Sequence, residues 1–312
     1  MYLRSLFLLL ACCVASACCI VSSLSADIAK HLRKIGEKPS KHCVRNVDFI
    51  YMINLDERPE KYEKCVDILH PKGIYPYRFS GINGWKLDTR IINDLGVHYD
   101  PTMPQGLFGT TYETSNGQAQ REVVHIAGRS YFAHNMSRGA IGVAMSHLSI
   151  LQDALDSGYK TIWIMEDDIE LIQNPHKISE LINKLDDAVG KEKWDVLYTD
   201  QDSKDKNGGA LLCNSFGIRP DFFPEDPKRF SKRKNVSHDF RRIGARYGTY
   251  SMILRRSGMK KILQFLKQHK LFSPYDMDLC LTPGIRLYTV THDVVSTQPN
   301  AASDNWWPGY TH

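Results

Sequence analysis

Apolar positions recur along the chain in two rhythms, one of strand length and one with helical spacing, and together they predict alternating strands and helices. Val47 to Leu55 is a nearly unbroken apolar run. Pro59 follows where a helix can begin without losing an amide hydrogen bond, and Tyr62, Cys65, Val66 and Leu69 then put one helical face against a sheet. Pro71 and Gly73 stop that helix, and Tyr75 to Ile82 predicts a second strand, completing a β-α-β unit. Lys86 to Leu95 predicts a short helix. Val97 to Ser137 shows only weak periodicity and is expected to be a long loop with a task of its own. Gly139 to Asp156 carries the clearest helical stripe, with Ile141, Ala144, Met145, Leu148, Leu151 and Leu155 broken only by Gln152, and Gly158 ends it.

Tyr159 to Asp168 follows at once, an apolar strand running straight into Glu166, Asp167 and Asp168. Pro175 to Val189 predicts a helix and Trp194 to Thr199 a strand. A strand over Arg246 to Arg255, a helix capped by Ser257 and running to about Gln268, and a loop over Ser273 to Asp278 come next. Ile285 to Val295 is the last predicted strand. This order predicts an α/β domain with a mainly parallel, Rossmann-type sheet flanked by helices.

Such sheets bind ligands beyond the carboxyl ends of their strands, which is where the acidic triplet falls. Three adjoining carboxylates repel one another unless a cation or donor-rich ligand lies among them. A divalent-metal site and a solvated acidic turn are both compatible with the triplet. In an extended pleat Glu166 and Asp168 share one side and Asp167 takes the other. At the exit of the first strand, Asn54, Asp56 and Arg58 can meet an anionic ligand or cap the following helix. Ser146 and His147 are adjacent on a helix, about 100° apart, so they are not assumed to form a nucleophile and base. His125, Arg129 and His134 could reach a substrate from the long loop. Between Lys228 and Arg246 eight basic residues face a single Asp239, which suits a solvated loop or an anionic acceptor. Asp276 and Asp278 share a side if the chain there is extended. Trp306, Trp307 and Tyr310 could stack on sugar rings or pin the tail.

The 312 residues carry a formal charge of +5, too small to point to nucleic acid or a membrane by itself. Residues 6–26 are apolar and nearly uncharged, as in a cleaved signal peptide or a membrane anchor, so the chain is expected to be exported or anchored. Four of the eight cysteines fall in that segment; Cys43, Cys65, Cys213 and Cys280 remain, without a CxxC pair, which disfavours zinc. Asn135 and Asn235 begin glycosylation sequons.

Four blocks together resemble glycosyltransferase family 25, which includes lipooligosaccharide and procollagen galactosyltransferases. They are Ile53 to Arg58, Gly139 to Gly142 with Ser146-His147-Leu148, Ile164 to Asp168, and Gly248-Thr249-Tyr250 leading to Ser257-Gly258. The resemblance covers residues 45–304; residues 1–26 are the targeting segment, 27–44 a linker and 305–312 an aromatic tail. It implies a GT-A-like fold and a manganese-dependent (or magnesium-dependent) inverting transfer from a nucleotide sugar, most often UDP-galactose. The acceptor would be a glycan, glycolipid or protein hydroxyl, as in lipopolysaccharide biosynthesis, and no nucleic-acid partner is implied. On this resemblance Glu166 and Asp168 hold the metal, and Asn54, Arg58, Ser146, His147, Glu166 and Asp167 bind the donor. The base comes from Asp276, Asp278 or Asp304, with the first two preferred over Asp304 and over Asp195 or Asp200. Asn83-Gly84 departs from the family's usual Asp-Gly. Two other classes compete: a binding or adhesion protein on the same fold without the chemistry, and a metal-dependent phosphohydrolase.

Overall fold

The computed structural model describes residues 26–39, 44–205, 207–298 and 303–305. The segment before residue 26, Cys43 and the aromatic residues after 305 lie outside the described residues. Among those described, no helix is long and apolar enough to cross a membrane.

A short helix α1 (Ala26–Lys30) precedes β1 (Phe49–Asn54), every residue of which is buried. Helix α2 (Pro59–Leu69) starts on its proline as the sequence predicts, and returns the chain to β2 (Tyr77–Ser80), parallel to β1. Asp88 caps α3 (Thr89–Leu95) by accepting from the Arg90 amide. The stretch expected to be a long loop instead builds a four-stranded antiparallel sheet. Its strands β3 (Val97–His98), β4 (Phe108–Tyr112), β5 (Ala119–Val123) and β6 (Ser130–Ala133) lie in the order β3-β6-β4-β5. These strands are short, and β5 is exposed almost throughout, so little apolar alternation marks them.

Helix α4 (Arg138–Asp156) is capped by Ser137, which accepts from the Ala140 amide. Strand β7 (Thr161–Glu166) follows, then β8 (Ile169–Leu171), α5 (Lys177–Val189) and β9 (Val196–Tyr198). Past the small ladder of β10 (Ser203–Lys204) and β11 (Ala210–Leu211), the basic stretch forms a hairpin of β12 (Arg233–Asn235) and β13 (Phe240–Ile243). The chain ends with β14 (Ser251–Arg255), α6 (Arg256–His269), α7 (Tyr275–Leu281), β15 (Leu287–Val290) and β16 (Val295–Thr297).

Eight strands form the main sheet in the order β12-β13-β15-β9-β14-β7-β1-β2. The sheet is α/β but mixed, which corrects the mainly parallel expectation. Strands β7, β1 and β2 are parallel, as are β9 and β15, whereas β14 runs antiparallel to both of its neighbours and β12-β13-β15 is antiparallel throughout. Ser251 to Leu254 of β14 are all buried, and a strand covered on both faces gives no sign of its direction.

The pleat divides the core. Ile162 and Ile164 of β7 pack with Ile141, Leu148 and Leu151 of α4 and with Ile262 and Leu266 of α6. Trp163 and Met165 point the other way, to Cys65 and Leu69 of α2 and to Ile178 and Ile182 of α5. Truncating a leucine such as Leu148 in a core of this kind costs about 2–5 kcal/mol.

The N-terminal half of α4 is buried almost all round because the turn after β2 lies directly on it. A Cβ on Gly142 would stand 2.3 Å from the Ile82 carbonyl oxygen, and one on Gly84 would meet the Arg138 carbonyl. The two glycines therefore permit backbone-to-backbone contact, and that contact carries Asn83, Gly84 and Trp85 to the sheet edge described next.

Candidate active site

The carboxyl ends of the adjacent parallel strands β1 and β7 open into a cleft lined by Asn54, Lys61, Trp85, Ser146, the acidic triplet and Asp304. Asn54 is the last residue of β1 and is buried. Its amide donates to Asp167 Oδ2 at 2.6 Å and to the Arg58 carbonyl at 2.8 Å, while its oxygen accepts from Arg78 Nε at 2.8 Å. Arg58 occupies the first flanking position of α2 but makes no side-chain cap; its guanidinium pairs with Glu60 and Asp304. Asp56 pairs with Ser80 and Arg78. Neither residue caps the helix.

Glu166 ends β7, its amide bonded to the Tyr250 carbonyl. Glu166 Oε1 accepts from Thr249 Oγ1 at 2.8 Å and lies 3.2 Å from Nε2 of the fully buried His147, whose ring stacks on Tyr275 at 4.4 Å. Burial pushes Glu166 upward, but the His147 hydrogen bond and charge outweigh it and hold the carboxyl below its ordinary value. Burial raises Asp167 against the opposing Asn54 hydrogen bond. Burial, reinforced by the charges of Glu166 and Asp167, pushes Asp168 up to about 7.

Among the described residues no three His, Cys, Asp or Glu side chains form a metal cage. A dication arriving with a diphosphate needs only one or two protein carboxylates, because the phosphate oxygens and water complete its shell. Asp168 Oδ1 fits that requirement: it is buried and has no hydrogen-bond partner among the described residues.

Ser146 is buried; its hydroxyl donates to the Gly142 carbonyl at 2.8 Å and accepts from the Ile82 amide at 2.8 Å, fastening the 82–85 turn to α4. Asn83 accepts from the Trp85 amide at 3.0 Å, a bond that a carboxylate could equally accept. Asp304 pairs with Arg58 and, at 2.5 Å, with Lys61. Its carbonyl accepts from Trp85 Nε1 at 3.4 Å, and Ser137 Oγ donates to the Asn305 carbonyl at 2.6 Å.

Asp276 and Asp278 lie on a helix rather than in an extended loop, so two residues of separation turns them about 200° apart. Asp276 is half-buried and accepts from the Gly248 amide at 2.9 Å; burial raises its carboxyl, with the Glu166 charge adding to the shift. Asp278 is fully buried, paired with Arg219 at 2.8 Å and bonded to the amides of Phe272 and Ser273. Gly248 has φ +79°, and a Cβ there would also strike the Tyr250 ring. The Gly248-Thr249-Tyr250 block thus touches Asp276 through its first residue and Glu166 through its second. Its third residue, Tyr250, donates from its hydroxyl to the buried Asp200.

Other expectations are relocated. Asp195 is buried under Ser257, Lys261 and Arg286, so Ser257 bonds Asp195 rather than capping α6. In the basic stretch Arg246 pairs with Asp200, Arg233 with Asp202 and Lys232 with Asp226. Strand β13 lies four strands from β7, roughly 19 Å at normal strand spacing, so this stretch does not line the cleft. Arg129 pairs with Glu122, and the His125 ring bonds the Val123 carbonyl. Lys61, Trp85 and Thr249 are not among the site residues the sequence predicts, although Thr249 falls in the Gly-Thr-Tyr block.

Residues 47–281 match the family described as glycosyltransferase family 25 (LPS biosynthesis protein). A glycosyltransferase 25 family member of Drosophila melanogaster is 28% identical over 172 residues, 55% of this chain and 23% of that protein. The human inactive glycosyltransferase 25 family member 3 is 24% identical over 181 residues, 57% of this chain and 25% of that protein. The aligned part therefore spans about a quarter of these relatives. With the matched region covering β1 through α7 and all of the cleft except residues 303–305, the chain belongs to glycosyltransferase family 25.

Proposed function

We propose that the chain is a metal-dependent inverting glycosyltransferase that moves galactose from UDP-galactose to a hydroxyl of a glycan, glycolipid or protein. The observation that carries this reading is the joint placement of Asn54 and the Glu166-Asp167-Asp168 triplet at the ends of neighbouring parallel strands, with Lys61 of α2 lining the same cleft. Asp168, with Glu166 beside it, would hold manganese or magnesium. The ion, when bound, neutralises charge on the departing diphosphate.

The residues of the chain supply the rest. Lys61 and Arg58 are cations at the cleft, and both now pair with Asp304. Donor binding exchanges that carboxylate for phosphate oxygens. The free volume beside the triplet is about 80 Å³. That is small against the roughly 300 Å³ at the lower end of ligand pockets, so residues 303–305 must shift to admit a nucleotide sugar. His147 and Thr249 fix the rotamer of Glu166, and Asn54 fixes Asp167.

In the transfer the acceptor oxygen bonds to the anomeric carbon as the bond from that carbon to diphosphate breaks, and the hydroxyl proton passes to a base. Asp276 is the preferred base: burial raises its carboxyl, which favours accepting a proton, and it is tied through Gly248 to the Thr249 that holds Glu166. Asp278 has its oxygens committed to Arg219 and two amides and acts structurally. Asp304 serves as the exchangeable partner of the cations. We place the domain in a lumen or at a membrane, through residues 6–26.

A second reading, a binding protein without transfer, draws support from relatives named inactive. The deciding experiment incubates the purified chain with manganese and a panel of nucleotide sugars and measures release of nucleoside diphosphate. Release from UDP-galactose that stops on chelation supports the transferase. Binding of nucleotide sugar without release, in the presence of candidate acceptors, supports the second reading.

A further inference from the structure

Beside the donor cleft, between the four-stranded sheet and the start of α4, runs a second and larger groove of about 760 Å³. That volume falls within the roughly 300–1,000 Å³ of small-molecule sites. Trp85 lines both cavities, and on α4 Arg138 faces the groove while its neighbour Gly139 lines the cleft. The groove is thus an extension of the cleft rather than a separate feature. Its lining includes two arginines and a histidine but no aspartate or glutamate.

The distribution of charge gives the groove a chemical preference. Arg121 is exposed on β5, and its side chain makes no hydrogen bond or ion pair among the described residues. Arg138 donates to the carbonyls of Gly84, Leu87 and Gly117, none of them a carboxylate, with its guanidinium 5.9 Å from the centre of the Tyr112 ring. Asp88, within electrostatic reach of Arg138, bonds Arg90 instead. His134 is exposed at the rim, and the amide of Gln118 is exposed nearby. An aromatic wall, side-chain amides and cations without acids suit a sugar chain bearing an anionic group: the rings lie against indole or phenol, amides meet hydroxyls, and guanidinium takes carboxylate or phosphate in bidentate fashion.

Resting on the transferase reading of the neighbouring cleft, we infer that this groove is the acceptor site and that it takes an oligosaccharide carrying a carboxylate or phosphate, held by Arg121 and Arg138 against Trp85. The reacting hydroxyl enters the donor cleft past Trp85. The four-stranded sheet, not the basic hairpin on the far edge of the main sheet, then sets acceptor choice.

The test presents the full chain, and Arg121→Glu, to an array of neutral oligosaccharides and matched sialic-acid-bearing and phosphate-bearing ones, with UDP binding measured in parallel. The wild-type chain should retain acidic glycans over their neutral counterparts, and Arg121→Glu should weaken that retention by about tenfold or more while UDP binding persists. The sialylated and phosphorylated arms tell carboxylate from phosphate. Equal retention of neutral and acidic glycans, or no effect of Arg121→Glu, overturns the inference. UDP binding without any glycan retention overturns it while leaving the donor reading intact. Acidic-glycan retention without UDP or nucleotide-sugar binding keeps the anion-binding groove but removes its role as an acceptor site. A concentration-dependent doubling of mass that Arg121→Glu abolishes would instead assign the groove to a second copy of the chain. Where transfer is measurable, Arg121→Glu should raise the acceptor KM and leave the donor KM alone.

Discussion

Two regions of the eight-stranded sheet, the β12-β13 edge and the carboxyl ends of β1 and β7, carry many charges and handle them differently. At the β12-β13 edge the basic run that dominates the sequence is divided between packing and solvent: Arg246 is buried on Asp200 and Arg233 is half-buried on Asp202, while Lys228, Lys232, Lys234 and Arg242 are exposed. Around β1 and β7 three successive carboxylates crowd together, and one oxygen of Asp168 has no partner among the described residues. A conspicuous charge run can therefore be structural, whereas unsatisfied buried charge marks a place prepared for a ligand. Helix α7 holds a milder contrast within one turn: Asp278 pairs with the buried Arg219, whereas Asp276 accepts the Gly248 and Met277 amides and feels the charge of Glu166.

The sharpest way to break that contrast is at α7. Asp276→Asn should lower kcat by about 10²–10⁴-fold with little change in donor KM or in unfolding midpoint, as expected for loss of a general base. Unchanged kcat would move the base elsewhere. Asp278→Ala should do the reverse and destabilise the fold by about 2–4 kcal/mol, because it leaves the buried amides of Phe272 and Ser273 without an acceptor and Arg219 with Asp221 as its remaining carboxylate partner. Urea unfolding checks this, and a stable but inactive Asp278→Ala chain would contradict it.

A smaller effect is expected from packing. Gly142→Ala should cost about 1–3 kcal/mol, because its Cβ meets backbone and not a flexible side chain. Denaturant titration of this variant, with UDP binding followed alongside, tests whether the turn bearing Trp85 depends on the close contact with α4.

The last expected effect is a slope with pH. The folded Asp168 carboxyl titrates near 7, against an ordinary value of 3.8. Between those values the metal-free folded chain keeps a proton that the unfolded chain has lost. Stability from this group is therefore full below about pH 4 and declines as pH rises towards 7. Asp168→Asn should flatten part of the slope in urea titrations of chelator-treated protein, and an unaltered slope would contradict the assignment.

Much of this arrangement was legible in the sequence because it depends on local periodicity. The apolar run of β1, the stripe of α4 and the strand ending in Glu166 each announce an element, and the element delivers Asn54 or the triplet to its place. The direction of β14 was not legible, since complete burial erases the alternation that distinguishes faces. The four-stranded sheet was hidden by short strands and by the exposure of β5. Asp276 and Asp278 looked equivalent because extended spacing was assumed, and the helix that Pro274 opens separates them. Lys61 and Trp85 reach the cleft only through the tertiary arrangement, Lys61 from α2 and Trp85 through the contact of Gly84 with α4, which no local pattern reports. The block resemblance identified the family correctly, yet it could not assign Ser146 to fastening the turn, a role that rests on its bonds to Gly142 and Ile82.

The most direct measurement is calorimetry of UDP binding, with and without manganese, to the wild-type chain and to Asp168→Ala. The account predicts that manganese tightens UDP binding to the wild-type chain. Asp168→Ala should lose about tenfold or more of that gain while unfolding at the same or a higher midpoint. Manganese-dependent UDP affinity that survives Asp168→Ala unchanged would contradict the assignment of the strand-end carboxylates to the donor site.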